Sequence, residues 1–157
     1  MADIGTLGEL EVMEYLSKVK GCSVYVPLVD RGIDLIAVAR KSFYQIQVKT
    51  SKFQRASYFW FDLHERKMVY TRNTYYIFVC KIPGRHKLMG KKSNFIVVPS
   101  LKIRGWIAQG AIARKQSDRE IFNIFIYPDD AKRTWTYKNK KRNIDFTPYW
   151  NRFEPIK

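Results

Sequence analysis

In the segment Gly32-Ile33-Asp34-Leu35-Ile36-Ala37-Val38, one carboxylate stands inside a run apolar enough to be a buried strand. An unpaired buried charge is costly, so Asp34 requires a cation or a metal beside it. Alternation along residues 43–50 puts Tyr44, Ile46 and Val48 on one face and Gln45, Gln47 and Lys49 on the other. A hairpin turning at Lys41-Ser42 predicts that residues whose numbers sum to about 83 lie opposite each other, which sets Asp34 against Lys49 with Gln47 as its diagonal neighbour. The plainer alternative is a half-buried strand whose polar face meets water. Carboxylate and amide oxygens suit a hard divalent cation such as Mg²⁺. An ammonium beside them can orient an attacking water or stabilise charge developing on phosphorus. Together these groups suit phosphodiester hydrolysis.

Such residues need elements to position them. Thr6-Leu7-Gly8-Glu9 fits a capping box, and Val12, Met13, Leu16 and Val19 recur at helical spacing, which predicts a helix ending near Lys20-Gly21. Glu9 shares that stripe and so turns toward the core, where it either joins Asp34 or serves only as the capping partner of Thr6. Glu11 and Glu14 lie off the stripe and are expected in water. Strands are predicted at residues 23–27, 33–40, 43–50, 57–63, 74–81, 95–98 and 121–127. Residues 64–72 form a short helix or a turn, and Ser100 caps a second helix reaching about residue 110. Asp30 reads as a turn residue and Gln45 as a polar strand residue. His64 and His86 have no partner at a catalytic spacing.

The chain has 157 residues, 46% of them apolar and 15% aromatic, which suits a single folded domain over 1–157 and excludes a disordered chain. No apolar run approaches a membrane span, and the start lacks a basic segment followed by an apolar one, so a cytoplasmic protein is expected. Cys22 and Cys80 stand apart and read as small buried residues. The net charge of +15 divides unevenly, with 11 Lys and Arg against 8 Asp and Glu in residues 1–80 and 18 against 6 in residues 81–157. So much positive charge favours a polyanion or an anionic surface as partner, with nucleic acid first among them. Arg85, Lys87, Lys91 and Lys92 occupy a Gly-flanked loop expected to be exposed. With Lys138, Lys140, Lys141 and Arg142, and with Lys102, Arg104, Arg114 and Lys115, they can neutralise phosphates along a duplex. The aromatic residues of a basic tail, 132–157, either stack on bases or, as aromatic anchors usually do, dock the tail on the domain through Trp135, Tyr149, Trp150 and Phe153.

Asp34, followed on the next strand by Gln47-Val48-Lys49 and preceded by Gly8-Glu9 on a helix, resembles the PD-(D/E)XK nuclease superfamily. Gly-x-Asp-Leu and Gln-Val-Lys-Thr look like the branch of Holliday-junction-resolvase-like proteins and small intron-encoded endonucleases. The resemblance covers about residues 5–52. It implies an α/β, restriction-endonuclease-like fold, a mixed β-sheet core flanked by helices in αβββ(α)β order. It further implies an endonuclease that cuts DNA with Mg²⁺, or Mn²⁺ in its place. Asp34, Gln47, the Val48 carbonyl and Glu9 would be metal ligands, Lys49 the catalytic cation, and the assembly a homodimer or larger. Ile33 stands where the name-giving motif has Pro, and Gln47 where Glu is common. The helix between the third and fourth core strands has only residues 64–72 as a candidate. Two rival readings are a DNA-binding protein that keeps the fold without cleavage and an assembly or toxin-like protein whose basic face meets an acidic protein.

Overall fold

The computed structural model describes residues 3–29, 31–52, 57–138 and 142–153. Asp30, Lys140 and Lys141 lie outside the described residues. The chain begins with helix α1 (Ile4–Glu14), which runs into one π-helical stretch (Tyr15–Val19). The cap is Asp3 and not Thr6, because the Thr6 N–H donates to Asp3 Oδ1 at 2.8 Å and Thr6 itself lies in the first turn. Ser17 Oγ donates to the Met13 carbonyl at 2.8 Å, a back-bond that competes with regular helical bonding where the helix loosens. Gly21, at φ 69°, follows the helix end.

Four strands follow: β1 (Ser23–Tyr25), β2 (Leu35–Ala39), β3 (Ser42–Lys52) and β4 (Phe59–His64). After a 3-10 turn at Glu65–Lys67 come β5 (Thr74–Lys81), β6 (Ser93–Pro99), α2 (Ser100–Ala108), β7 (Ala113–Arg114), β8 (Ile121–Asp129), β9 (Thr134–Lys138) and β10 (Asn143–Asp145). One five-stranded sheet has the order β1-β2-β3-β5-β6, with β3 and β5 parallel and the other pairs antiparallel. The other runs β10-β9-β8-β4, with β7 also on β8. The architecture is therefore mixed α/β, with a mixed sheet at its centre.

Two sequence expectations shift in the second sheet. Residues 64–72, the candidate for a helix between the third and fourth core strands, hold only the 3-10 turn at Glu65–Lys67, and the strand expected at 57–63 is β4, whose buried Phe59, Phe61 and Leu63 alternate with Trp60, Asp62 and His64. That period of two requires a strand. The basic tail is not an appendage either, because it supplies β9 and β10, and Trp135 is fully buried. Strand β5 is covered on both faces. Tyr75, Ile77 and Val79 pack in the α1 layer with Val12, Leu16, Ile46 and Val48. Tyr76, Phe78 and Cys80 pack against Phe61, Ile124 and Trp135 of the second sheet. Phe153 is held against Tyr15, ring centroids 4.3 Å apart, so the last described segment docks on the helix layer. Ser100 does not cap α2; its hydroxyl ties to Thr71, donating to the carbonyl at 2.8 Å and accepting from the N–H at 3.1 Å. No helix among the described residues is long and apolar enough to cross a membrane.

Candidate active site

The β2–β3 hairpin turns on Arg40-Lys41, with Arg40 at φ 53°, and pairs Ala39 with Ser42 and Leu35 with Ile46. The expected pairing, which set Asp34 opposite Lys49, is therefore two residues out. An even shift leaves every side chain on its expected face, because the pleat repeats every two residues. Its effect is to bring Asp34 beside Gln47. The Asp34 N–H donates to the Ile46 carbonyl at 2.9 Å, and Asp34 Oδ2 accepts from the Val48 N–H at 2.7 Å, so Asp34 bonds to the residues on either side of Gln47. Lys49 follows on the same face.

Gln47 is 4% exposed and its Oε1 has no hydrogen-bond partner among the described residues. A buried acceptor without a donor is costly, and Thr50 Oγ1, in the cavity beside Lys49, is buried in the same state. Gln45, by contrast, is engaged, accepting at 3.1 Å from Thr74 Oγ1. Ile46 and Val48 point the other way, into the α1 layer. Glu9 is half-buried on α1, and with Asp3 as the cap, the capping-box role is removed from it. Glu11, expected in water, forms a partly buried ion pair with Lys81 because α1 lies over the sheet. Glu14 is exposed as expected, paired with Lys18 at 3.0 Å.

Two glycines set the approach of these elements. A Cβ on Gly8 would lie 1.8 Å from Thr50 Oγ1, so the bare backbone of Gly8 is what lets α1 close on β3 beside Glu9. Gly32, at φ 88°, lies so close to the Lys67 carbonyl that a Cβ would sit 1.9 Å from its oxygen, which seats the segment entering Asp34.

Sequence reasoning did not find the residues that share a cavity with Lys49. This cavity, of about 320 Å³, is lined by Lys49, Thr50, Trp60, Phe61 and Asp62. β4 is the edge strand of the second sheet, and it is held to β3 by the Trp60 N–H donating to Ser51 Oγ at 3.0 Å. The exposed aromatic at the second position of an alternating strand was the available signal. Nothing local relates that strand to Lys49.

The basic residues divide. Arg85, Lys87, Lys91 and Lys92 are exposed. Their loop is less open than expected, since Leu88 and Met89 are buried, Met89 N–H donates to Asp130 Oδ1 at 2.7 Å, and Asn94 Nδ2 donates to the Leu88 carbonyl at 3.0 Å. Lys138 and Arg142 are exposed at the β9–β10 connection. Asp130 precedes β9 and Lys138 ends it, so the two basic segments lie at opposite ends of that strand. Lys102 and Arg104 are exposed on α2, whereas Arg114 is committed to Glu65 at 2.6 and 2.9 Å. This pairing holds the Glu65 carboxyl below its usual range, chiefly through the Arg114 side-chain hydrogen bond. Cys22 and Cys80 are free and buried, and burial pushes the Cys80 thiol up, away from reactivity.

The oxygen-only character of Asp34, Gln47 and the Val48 carbonyl fits a hard divalent cation, and the undonated Gln47 Oε1 is an atom such a cation would satisfy. Among the described residues, no three His, Cys, Asp or Glu side chains form a metal-binding group.

No protein-family model matches the chain, and no curated protein matches it. Among solved structures, a bacterial homing endonuclease matches with a TM-score of 0.58 at 17% identity, over 99% of this chain and 92% of that one. A nuclease from a fusselovirus matches with a TM-score of 0.45 at 15% identity, over 99% of this chain and 91% of that one. The chain thus shares a nuclease fold with the first of these along nearly its whole length.

Proposed function

We propose that this protein is a metal-dependent DNA endonuclease of the PD-(D/E)XK type. The observation that carries the reading is the buried, undonated Gln47 Oε1 beside Asp34 and two residues before Lys49, in a chain whose fold matches a homing endonuclease. Asp34, Gln47 and the Val48 carbonyl would hold Mg²⁺ or Mn²⁺, while Glu9, the auxiliary ligand that the resemblance implies, sits on α1 over the opposite face of β3 from Gln47. When bound, the metal supplies Lewis-acid polarisation of the phosphate and lowers the pKa of a coordinated water. Lys49 orients the attacking water or stabilises the charge developing on the phosphate oxygens. Asp34 also orders the strand, since its carboxylate holds the Val48 N–H. Exposed cations on the 83–92 loop and at Lys138 and Arg142 position the phosphate backbone without reading its sequence. Cutting both strands of a duplex needs two such sites, and a homodimer supplies them; light scattering at micromolar concentration with and without DNA checks this, and a monomer in both states refutes it.

A second reading has its own support in the small carboxylate count, with Gln47 where Glu is common and no group of three metal-binding residues among those described. On that reading the protein binds DNA without cutting it. Incubation with supercoiled, linear and four-way-junction DNA in Mg²⁺ or Mn²⁺ separates the two. The endonuclease nicks at least one substrate, and Asp34→Ala and Lys49→Ala are each slowed at least about a hundredfold. Binding without nicking on every substrate leaves the binding module. Failure to bind at low salt eliminates both.

A further inference from the structure

We infer that Trp60, with Lys115 and Asp62, forms a nucleotide-binding subsite next to Lys49, in which the indole stacks on a DNA base while Lys115 meets the adjoining phosphate. The inference rests on the DNA reading above and adds a nucleotide-positioning contact to it. Trp60 is 38% exposed and lines the same cavity as Lys49 and Asp62. Its ring is held on several sides. Indole Nε1 donates to Asp62 Oδ1 at 2.9 Å, the ring stacks beside Phe125 at 5.9 Å, and Lys115 Nζ lies 5.1 Å from its centroid.

Asp62 is the hub of this arrangement. It also accepts from Asn123 Nδ2 and lies 3.7 Å from Lys115 Nζ. Lys115 is shared between Asp62 and the indole, so meeting a phosphate requires it to turn away from Asp62, whose carboxylate the Asn123 amide and the Trp60 indole N–H continue to hold. A partly exposed indole fixed in one orientation has little freedom left to lose on stacking, which favours binding. Tyr58, Phe125 and Tyr127 continue the aromatic row on the outer face of β4 and β8, with Tyr58 5.6 Å from Phe125 and 5.4 Å from Tyr127. The partner is taken as DNA because stacking tolerates any base, a cation stands over the ring, and the neighbouring lysine is the proposed catalytic one.

The test compares wild type, Trp60→Ala, Trp60→Phe, Lys115→Gln and Lys49→Ala in binding to single-stranded DNA, whose bases offer a free face for stacking, and in cleavage. Trp60→Ala should bind about tenfold more weakly, with Trp60→Phe recovering most of the deficit. Lys115→Gln should lower the salt slope of binding by about one. Lys49→Ala should bind as wild type and fail to cut. If Trp60→Ala binds and cuts as wild type, the subsite is overturned while the endonuclease reading stands on Lys49→Ala. If wild type binds but never cuts and Trp60→Ala still binds more weakly, the subsite stands on a binding module. Photo-cross-linking of wild-type protein to single-stranded DNA bearing 5-iodouracil gives a readout independent of variant folding. Adducts on Trp60 support the subsite, and adducts confined to other segments overturn it. Absence of DNA binding by wild type overturns both readings.

Discussion

A glutamine at position 47 keeps an oxygen donor beside Asp34 but leaves the site one negative charge short of a Glu-containing one. Gln47→Glu should therefore tighten Mg²⁺ binding while placing a second carboxylate near Asp34 when the metal is absent. The expected signature is a melting temperature below wild type in EDTA and a larger rise on adding Mg²⁺, read by thermal unfolding across a metal titration. An equal rise in both proteins would remove Gln47 from the proposed metal site. Gly8 offers a sharper steric case. Gly8→Ala must displace Thr50, whose Oγ1 lies where the new methyl would sit, and should cost about 1–3 kcal/mol in denaturant unfolding. Adding Thr50→Ala should recover part of that stability. No recovery would mean that α1 does not close on β3 through this pair.

At the scale of the element, α1 depends on a cap that titrates. The Asp3 carboxyl is held below the usual carboxylate range, chiefly by the Thr6 backbone N–H it accepts from. A depressed folded-state pKa stabilises the fold above the ordinary carboxylate range, and that contribution disappears as pH falls through the folded value. Asp3→Ala should accordingly melt below wild type at neutral pH and converge with it in acid, which melting curves across pH will show. A gap independent of pH would mean that the ionised cap contributes nothing. The β2–β3 hairpin shows a different limit. The pattern of residues 43–50 gives the faces of Gln47 and Lys49 correctly, since alternation belongs to the strand itself. The pairing with β2 came out two residues away, because Arg40 takes a left-handed conformation that usually falls to Gly or Asn. Nothing in the side chain announces it.

For the whole molecule, the charge of +15 acts through its distribution. The 83–92 loop and the β9–β10 connection stand at opposite ends of β9, so a single straight duplex need not engage both. Replacing Arg85, Lys87, Lys91 and Lys92 by Gln should reduce the slope of log binding constant against log salt by about 0.9 for each phosphate that the variant no longer neutralises. The preferred cleavage position should not move. An unchanged slope would assign the backbone phosphates to Lys138, Arg142 or α2 instead.

Alternation and composition suffice for a leading helix, a hairpin with an embedded Asp34, the shared face of Gln47 and Lys49, the burial of both cysteines and the basic second half. Each follows from a residue and its near neighbours. Packing across the molecule settles the rest: Asp34 lies beside Gln47, Glu11 meets Lys81, the final third of the chain joins β4 in a second sheet, and Trp60 and Asp62 stand next to Lys49. These are pairings across long sequence separations. Many partners satisfy the same local pattern, and the total burial of two sheets and a helix selects one of them.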